Sequence, residues 1–311
     1  MRPFYVISAK SVPMFRSFCL YRIQADALPE MATIEAALRE HPFTPCGNTE
    51  PQRVGWVPAL DEDASAYVHS SDDVMLVRMR EQKRLLPAGV IREHLETQVR
   101  ELQEKEGRKL GRKEVLRLKD ELTFSLLPRA FTKTDETLAL LMPKQGHILV
   151  GASSLTRAEL LLNALRLALG SLPVTRPAFS APIPAFLTAW LKGERDMPAG
   201  FTLGESCEMA DEEGVVRCKG IELISAEVKT HLEAGREVRR LQLNFEDSVD
   251  MVLLQDARLV QMKMSERLRG ELDAQSADDR LANLDAELQL WHLTMTRLLP
   301  RLYQSLGETA S

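Results

Sequence analysis

Three β-rich runs stand almost end to end in one stretch of this chain: EVRRLQLNFED, VDMVLLQ and RLVQMKM, between residues 237 and 264. Leu241, Leu243 and Phe245 alternate with Arg240, Gln242 and Asn244, as expected of a strand with one buried face. The connections are only a residue or two long, so the runs read as three consecutive antiparallel strands. Elsewhere, strands and helices follow one another without regular βαβ alternation. FRSFCLYRI, RVGWVP, DVMLVRMREQKRLLP, FTKTDETLALLM and HILVGA read as strands, and GVVRCKGIEL as a strand with a turn. LPEMATIEAALRE, SLTRAELLLNALRLALG, AFLTAWLKG and SAEVKTHLEAG read as helices. The pattern predicts an α+β fold with mixed antiparallel sheets.

From Ala88 the apolar spacing becomes helical. Ile91, Leu95, Val99 and Leu102 form one series, and Val115, Leu118 and Leu122 form a second after Gly107 and Gly111. Each glycine costs a helix interior about 1 kcal/mol relative to alanine, so a helical hairpin with GRKLG at or near its tip is expected, closed by Pro128. The prolines from Pro173 to Pro184 mark a boundary. The expected segments are an extension (1–13), an N-terminal α/β part (14–87), the hairpin (88–127), central strands and helix (128–176), a second α+β part (177–264) and a C-terminal helical segment (265–311).

That last segment is the most regular. Leu281, Leu284, Leu288, Trp291, Met295, Leu298 and Leu302 recur at steps of three and four, which places them on one face of a long helix. The face either docks on its own domain or forms a seam with a second subunit, and Pro300 would bend or end such a seam.

No phosphate loop, dinucleotide fingerprint, zinc-protease helix or nucleophile elbow is present. The six histidines are dispersed and the four cysteines form no CxxC pair. The sequence therefore predicts no catalytic residue, metal or cofactor, and no enzyme. No run is long and apolar enough for a membrane span, and residues 1–18 lack the features of a signal peptide; a cytoplasmic protein is expected.

Charge is segregated. The chain has 45 acidic and 40 basic residues, yet Lys105, Arg108, Lys109, Arg112, Lys113, Arg117 and Lys119 share fifteen positions with only Glu106 and Glu114. In one continuous helix, Lys105, Arg108, Lys109 and Arg112 would form a stripe; in a hairpin they cluster at the tip. Both geometries suit phosphate oxygens and neither reads bases. The plain alternative is a solvated helix end. A second basic group surrounds the start of the strand at 237, with Arg236, Arg239 and Arg240. Residues 265–289 instead carry seven acids against three bases, which would keep a polyanion away.

Seven short motifs carry a resemblance: FTPCG (43–47), GWVP (55–58), SLLPRAF (125–131), LGSLPV (169–174), LTAW (187–190), GVVR (214–217) and HLEAGR (231–236). In this order and spacing the chain resembles the recombination-associated protein RdgC family, from about Phe15 to the C-terminal helix. The resemblance implies a non-enzymatic homodimer closed into a ring, binding double-stranded and single-stranded DNA with little sequence preference, associated with the nucleoid and restraining RecA-dependent recombination. It implies DNA-facing roles for Arg108 and Lys109 in GRKL, and a subunit contact at Phe131, beside Arg129. Near Lys219 the chain departs from the family, with Gly220 and Ile221 where a further lysine and a polar residue are common. Met14 resembles the family's first residue, which makes residues 1–13 an extension or a misplaced start.

The DNA-binding set expected from these readings is Lys105, Arg108, Lys109, Arg112, Lys113, Arg117, Lys219, Arg236 and Arg240. The competing expectation is a protein-interaction scaffold that uses the C-terminal apolar face, with DNA binding incidental.

Overall fold

The computed structural model describes residues 14–24, 27–61, 65–275 and 280–309. The expected extension at 1–13, together with Asp278 and Asp279, lies outside them.

Along the chain, β1 (Ser17–Ile23) leads to α1 (Met31–Glu40), then β2 (Gln52–Val57), β3 (Val68–Ser71) and β4 (Val74–Leu85). The helices α2 (Ala88–Glu106) and α3 (Arg112–Leu126) follow, and the chain returns through β5 (Phe131–Met142) and β6 (His147–Val150). Next come α4 (Leu155–Leu169), β7 (Val174–Thr175), α5 (Ile183–Lys192), β8 (Phe201–Ala210), β9 (Val215–Lys219) and α6 (Ala226–Glu233). The chain ends with β10 (Glu237–Phe245), β11 (Val249–Leu254), β12 (Leu259–Met264), α7 (Glu266–Gln275) and α8 (Arg280–Ser305).

The strands join in the order β2-β4-β5-β6-β1-β12-β11-β10-β8-β9, with β3 on β4 and β7 on β1. Each of these strand pairings is antiparallel. The expected α+β class with antiparallel strands, a helical hairpin and a long C-terminal helix is therefore what forms. The ladder between β1 and β12 is short, limited to Ser17↔Val260 and Phe18↔Leu259. The runs EVRRLQLNFED, VDMVLLQ and RLVQMKM form β10, β11 and β12, paired consecutively.

Period-two alternation sends the side chains of β1 to two separate cores. Cys19, Tyr21 and Ile23 pack with Ile34 and Leu38 of α1 and Leu161, Leu162 and Leu165 of α4. Phe18 and Leu20 point the other way, into a larger core built from α5, α8 and the inner faces of β8 to β12. Gly55 makes a close approach possible on β2, because a Cβ there would lie 2.4 Å from Cα of Phe43. The FTPCG segment can therefore lie against the strand, with Phe43 N–H donating to Trp56 O at 2.8 Å.

The C-terminal helix is an internal element. Leu288, Trp291, Met295, Leu298 and Leu302 are fully buried in the larger core, and the Trp291 ring meets Phe15 and Phe18 edge-on at 6.2 and 5.6 Å. Of the two readings of this face, docking on the chain's own domain is what forms, and these side chains are covered by the chain's own sheet rather than offered to a partner. The helix runs through Pro300 to Ser305.

Candidate nucleic-acid interface

The strands β4 and β5 pair from Met75↔Leu141 to Leu85↔Phe131, and the α2–α3 hairpin connects them where that ladder ends. The hairpin's apolar residues face one another. Ile91, Leu95 and Val99 on α2 and Val115 and Leu118 on α3 are half-buried, and α2 has no fully buried residue. Its anchorage is at the base, where Leu122 and Leu127 are buried. There Arg84 donates from Nη1 to Leu127 O (2.9 Å) and Ala130 O (3.2 Å), and from Nη2 to Gly47 O (3.1 Å).

At the tip, Gly107 adopts a left-handed conformation (φ 65°) and its N–H donates to Gln103 O at 2.9 Å, ending α2. Arg108 then bridges the two helix ends. It donates to Glu114 Oε2 and Oε1 at 2.9 and 2.6 Å and lies 2.8 Å from Glu106 Oε2. The Arg108 guanidinium, and next the Gly111 N–H, hold the Glu114 carboxyl down at about 2. Lys105, Lys109, Arg112 and Lys113 are exposed and make no ion pair among the described residues. Arg117 lies 3.4 Å from Glu121 on the same helix.

The second basic group is built differently. Arg236 donates from Nε to Asp211 Oδ2 at 2.8 Å and lies 3.1 Å from His231 Nδ1. Asp211 in turn accepts from Glu213 and Gly214 N–H, so Arg236 secures the β8–β9 turn. Arg240 lies beyond a β-bulge and faces away from the core with Gln242 and Asn244, opposite Glu208. Glu208 is engaged by Arg217 at 2.7 Å. Lys219 is exposed at the end of β9.

These two groups lie far apart in the strand order. In the strand order the hairpin springs from β4 and β5, whereas Lys219 ends β9, eight strand steps from β4. At about 4.8 Å per step the path along the sheet is roughly 38 Å.

Sequence reasoning missed a row of arginines. Arg78, Arg80 and Arg84 share one face of β4, with Arg53 on the neighbouring β2. The even spacing in VRMREQKR was the available signal. Much of this charge is compensated: Arg80 donates to Glu136 Oε1 at 2.8 Å, Arg78 to Glu136 Oε2 at 3.4 Å, and Arg53 pairs with Glu50.

Phe131, opposite Leu85 at the hairpin's exit, is 85% exposed, and Leu116 and Phe124 on α3 are each 58% exposed. Arg129 is exposed beside them. Among the described residues, no three His, Cys, Asp or Glu side chains converge as metal ligands. No helix among them is long and apolar enough to cross a membrane.

A family model described as "Putative exonuclease, RdgC" matches residues 14–309. The chain belongs to the RdgC family. It is 40% identical over 296 residues to the recombination-associated protein RdgC of Shewanella oneidensis, covering 94% of this chain and 97% of that one. The RdgC proteins of Shewanella sp. (strain ANA-3) and Shewanella putrefaciens are 40% and 39% identical over the same shares. The RdgC family model is thus described in terms of nuclease activity, and the relatives in terms of recombination.

Proposed function

We propose that this chain binds DNA irrespective of sequence, gripping phosphates with the hairpin tip, and acts in recombination by occupying DNA. The observation that carries the reading is the group of Lys105, Lys109, Arg112 and Lys113, exposed and without ion pairs among the described residues, on an arm of a chain whose net charge is −5. Unpaired cations on a projecting helix end exchange condensed counterions for protein contacts, which supplies affinity without base recognition. Both single-stranded and double-stranded DNA offer such phosphates.

In this reading the working form is a homodimer that encloses DNA as a ring and does no chemistry on it. Support comes from Phe131 and Arg129, exposed at the hairpin exit, and from the separation of the two basic groups along the sheet. Arg240 and Lys219 of the second group would face the same duplex only across a wide concavity, while Arg236 would support them by holding the β8–β9 turn. A closed ring retains DNA topologically, so modest phosphate contacts suffice. DNA so occupied is withheld from RecA, which restrains recombination and places the protein with the nucleoid.

Binding to unrelated duplexes and single strands, measured across a salt series, tests the proposal. Equal affinities with a steep salt dependence are expected. Discrimination among duplexes would overturn the non-specific reading, and degradation of the DNA with a divalent cation present would overturn the non-catalytic one.

A further inference from the structure

Cys207 on β8 and Cys218 on β9 are directly opposed in an antiparallel pair. Alternation turns both toward the larger core, Cys207 buried and Cys218 half-exposed, on the side shared with Met209 and Val216. The parity of the ladder fixes their spacing. Gly220 N–H donates to Glu205 O at 2.8 Å and Asp211 N–H to Gly214 O at 3.1 Å, and both pairs lie an even number of steps from the cysteines in the same register. The cysteines therefore occupy a hydrogen-bonded pair, with Cα atoms about 5.5 Å apart. That is within the Cα separation of about 4.4 to 6.8 Å that a disulfide spans, and closing the bridge draws the two Cβ atoms together from about 5.5 Å toward about 4.5 Å. The remaining thiols are committed elsewhere, Cys19 to Ala152 O at 3.3 Å and Cys46 to Gln82 O at 3.0 Å.

We propose that Cys207 and Cys218 are a modification site: a dithiol that closes to an intramolecular disulfide when a low-molecular-weight disulfide oxidises it. The inference does not depend on DNA binding. β9 is the last strand in the sheet order, so Cys218 is approached from the free edge. Burial, and then the neighbouring Cys218, push the Cys207 thiol up to about 12, which makes Cys218 the point of entry. The Cys218 thiolate attacks one sulfur of the oxidant, forming a mixed disulfide and releasing one thiolate. Cys207, losing its proton to solvent, then attacks Cys218 Sγ, forms the protein disulfide and releases the second thiolate. Two protein thiols are oxidised and one oxidant disulfide is reduced to two thiols.

The bridge would tie the edge strand to its neighbour. Arg217 and Lys219 flank Cys218 in sequence but project from the opposite face of β9, so the bridge fixes their strand without covering them.

The test is incubation of the full-length protein with oxidised glutathione, alkylation of remaining thiols, and mass spectrometry of an unreduced digest. The expected product joins the Cys207 and Cys218 peptides with the loss of two hydrogens, forms faster at higher pH, and is reversed by dithiothreitol. Cys218→Ser should abolish it, and Cys46→Ser should leave it intact. A stable glutathione adduct at Cys218 with Cys207 still alkylated, a bridge to Cys19 or Cys46, a bridge between chains, or no reaction would each overturn the proposal.

Discussion

Arg108 and Glu114 close the tip of the helical hairpin with two parallel hydrogen bonds, at 2.9 and 2.6 Å, while the same carboxylate accepts the Gly111 N–H at 2.7 Å. One acid thereby caps α3 and occupies one of the tip's cations. Lys109, Arg112 and Lys113 remain outside the pair. Arg108 shapes the turn, and its neighbours carry the charge that is available to a ligand.

The variant Lys109→Ala, Arg112→Ala, Lys113→Ala should therefore weaken binding to all DNA sequences alike. Each lost phosphate contact should lower the log–log salt slope by about 0.9. Thermal unfolding should be nearly unchanged, because all three side chains are exposed. Arg108→Ala alone should change the slope less than any pair of the others. Filter binding across a salt series reads both effects, and an unchanged slope in the triple variant removes the tip from the binding surface.

Glu114→Gln should act in the opposite direction. It removes a negative charge and releases Arg108, so low-salt DNA affinity should rise while amide exchange at Gly111 and along the start of α3 accelerates. The pH dependence follows from the depressed carboxyl. The pair's contribution is full above the ordinary value of 4.5 and is lost as pH falls toward about 2. Protection at the tip, taken as the exchange rate relative to that of a free amide at the same pH, should therefore be constant through neutral pH and fall only in acid.

Much of this architecture was legible because the sequence alternates cleanly. Leu241, Leu243 and Phe245 announced β10, and Gly107 and Gly111 announced the hairpin, since nothing else explains two helix breakers inside a helical spacing. Strand β8 was hidden: in FTLGESCEMA, Gly204, Glu205 and Ser206 interrupt the apolar alternation, and only pairing with β9 and β10 makes the segment a strand. The role of the C-terminal face was illegible for a different reason. Spacing at three and four shows that Leu288 and Leu298 share a face, but not whether another chain or the chain's own sheet covers it. Arg108 shows the same limit within the candidate site. Its charge is readable in the sequence, but its commitment to Glu106 and Glu114 depends on the turn that brings them together.

Helix α8 offers a direct check on that burial. Met295→Ala removes a fully buried side chain and should cost about 2 to 5 kcal/mol. Leu293→Ala, at a position 58% exposed on the same helix, should fall within about 0.5 kcal/mol of the parent. Chemical denaturation distinguishes the two, and equal losses would contradict an internal face.

His147 should give the protein an acid limb. Burial first, and the nearby Arg22 second, push its imidazole down to about 4 from 6.5. Between those values the unfolded chain binds the proton and the folded chain does not, so stability falls as pH drops from 6.5 toward 4, by up to about 3 kcal/mol. Phenylalanine can occupy the place beside Tyr303, whose ring centroid lies 5.5 Å away. His147→Phe should flatten that part of the pH–stability curve, as read by denaturant midpoints at a series of pH values.

Phe131 separates a ring from a simple basic arm. With 85% of its surface exposed, it contributes little to the fold of a single chain, whereas truncating a buried phenylalanine costs about 3 to 5 kcal/mol. A large exposed aromatic at the end of a strand, across from Leu85, suits packing against a second copy related by a two-fold axis. Phe131→Ala should leave the melting temperature of the chain nearly unchanged and weaken self-association in sedimentation experiments. Dissociation from circular DNA should accelerate more than dissociation from short linear duplexes, because an opened ring releases a circle sideways, whereas a linear duplex can always leave by its ends. A large stability loss would assign Phe131 to the fold, and equal acceleration on both substrates would count against topological retention through this residue.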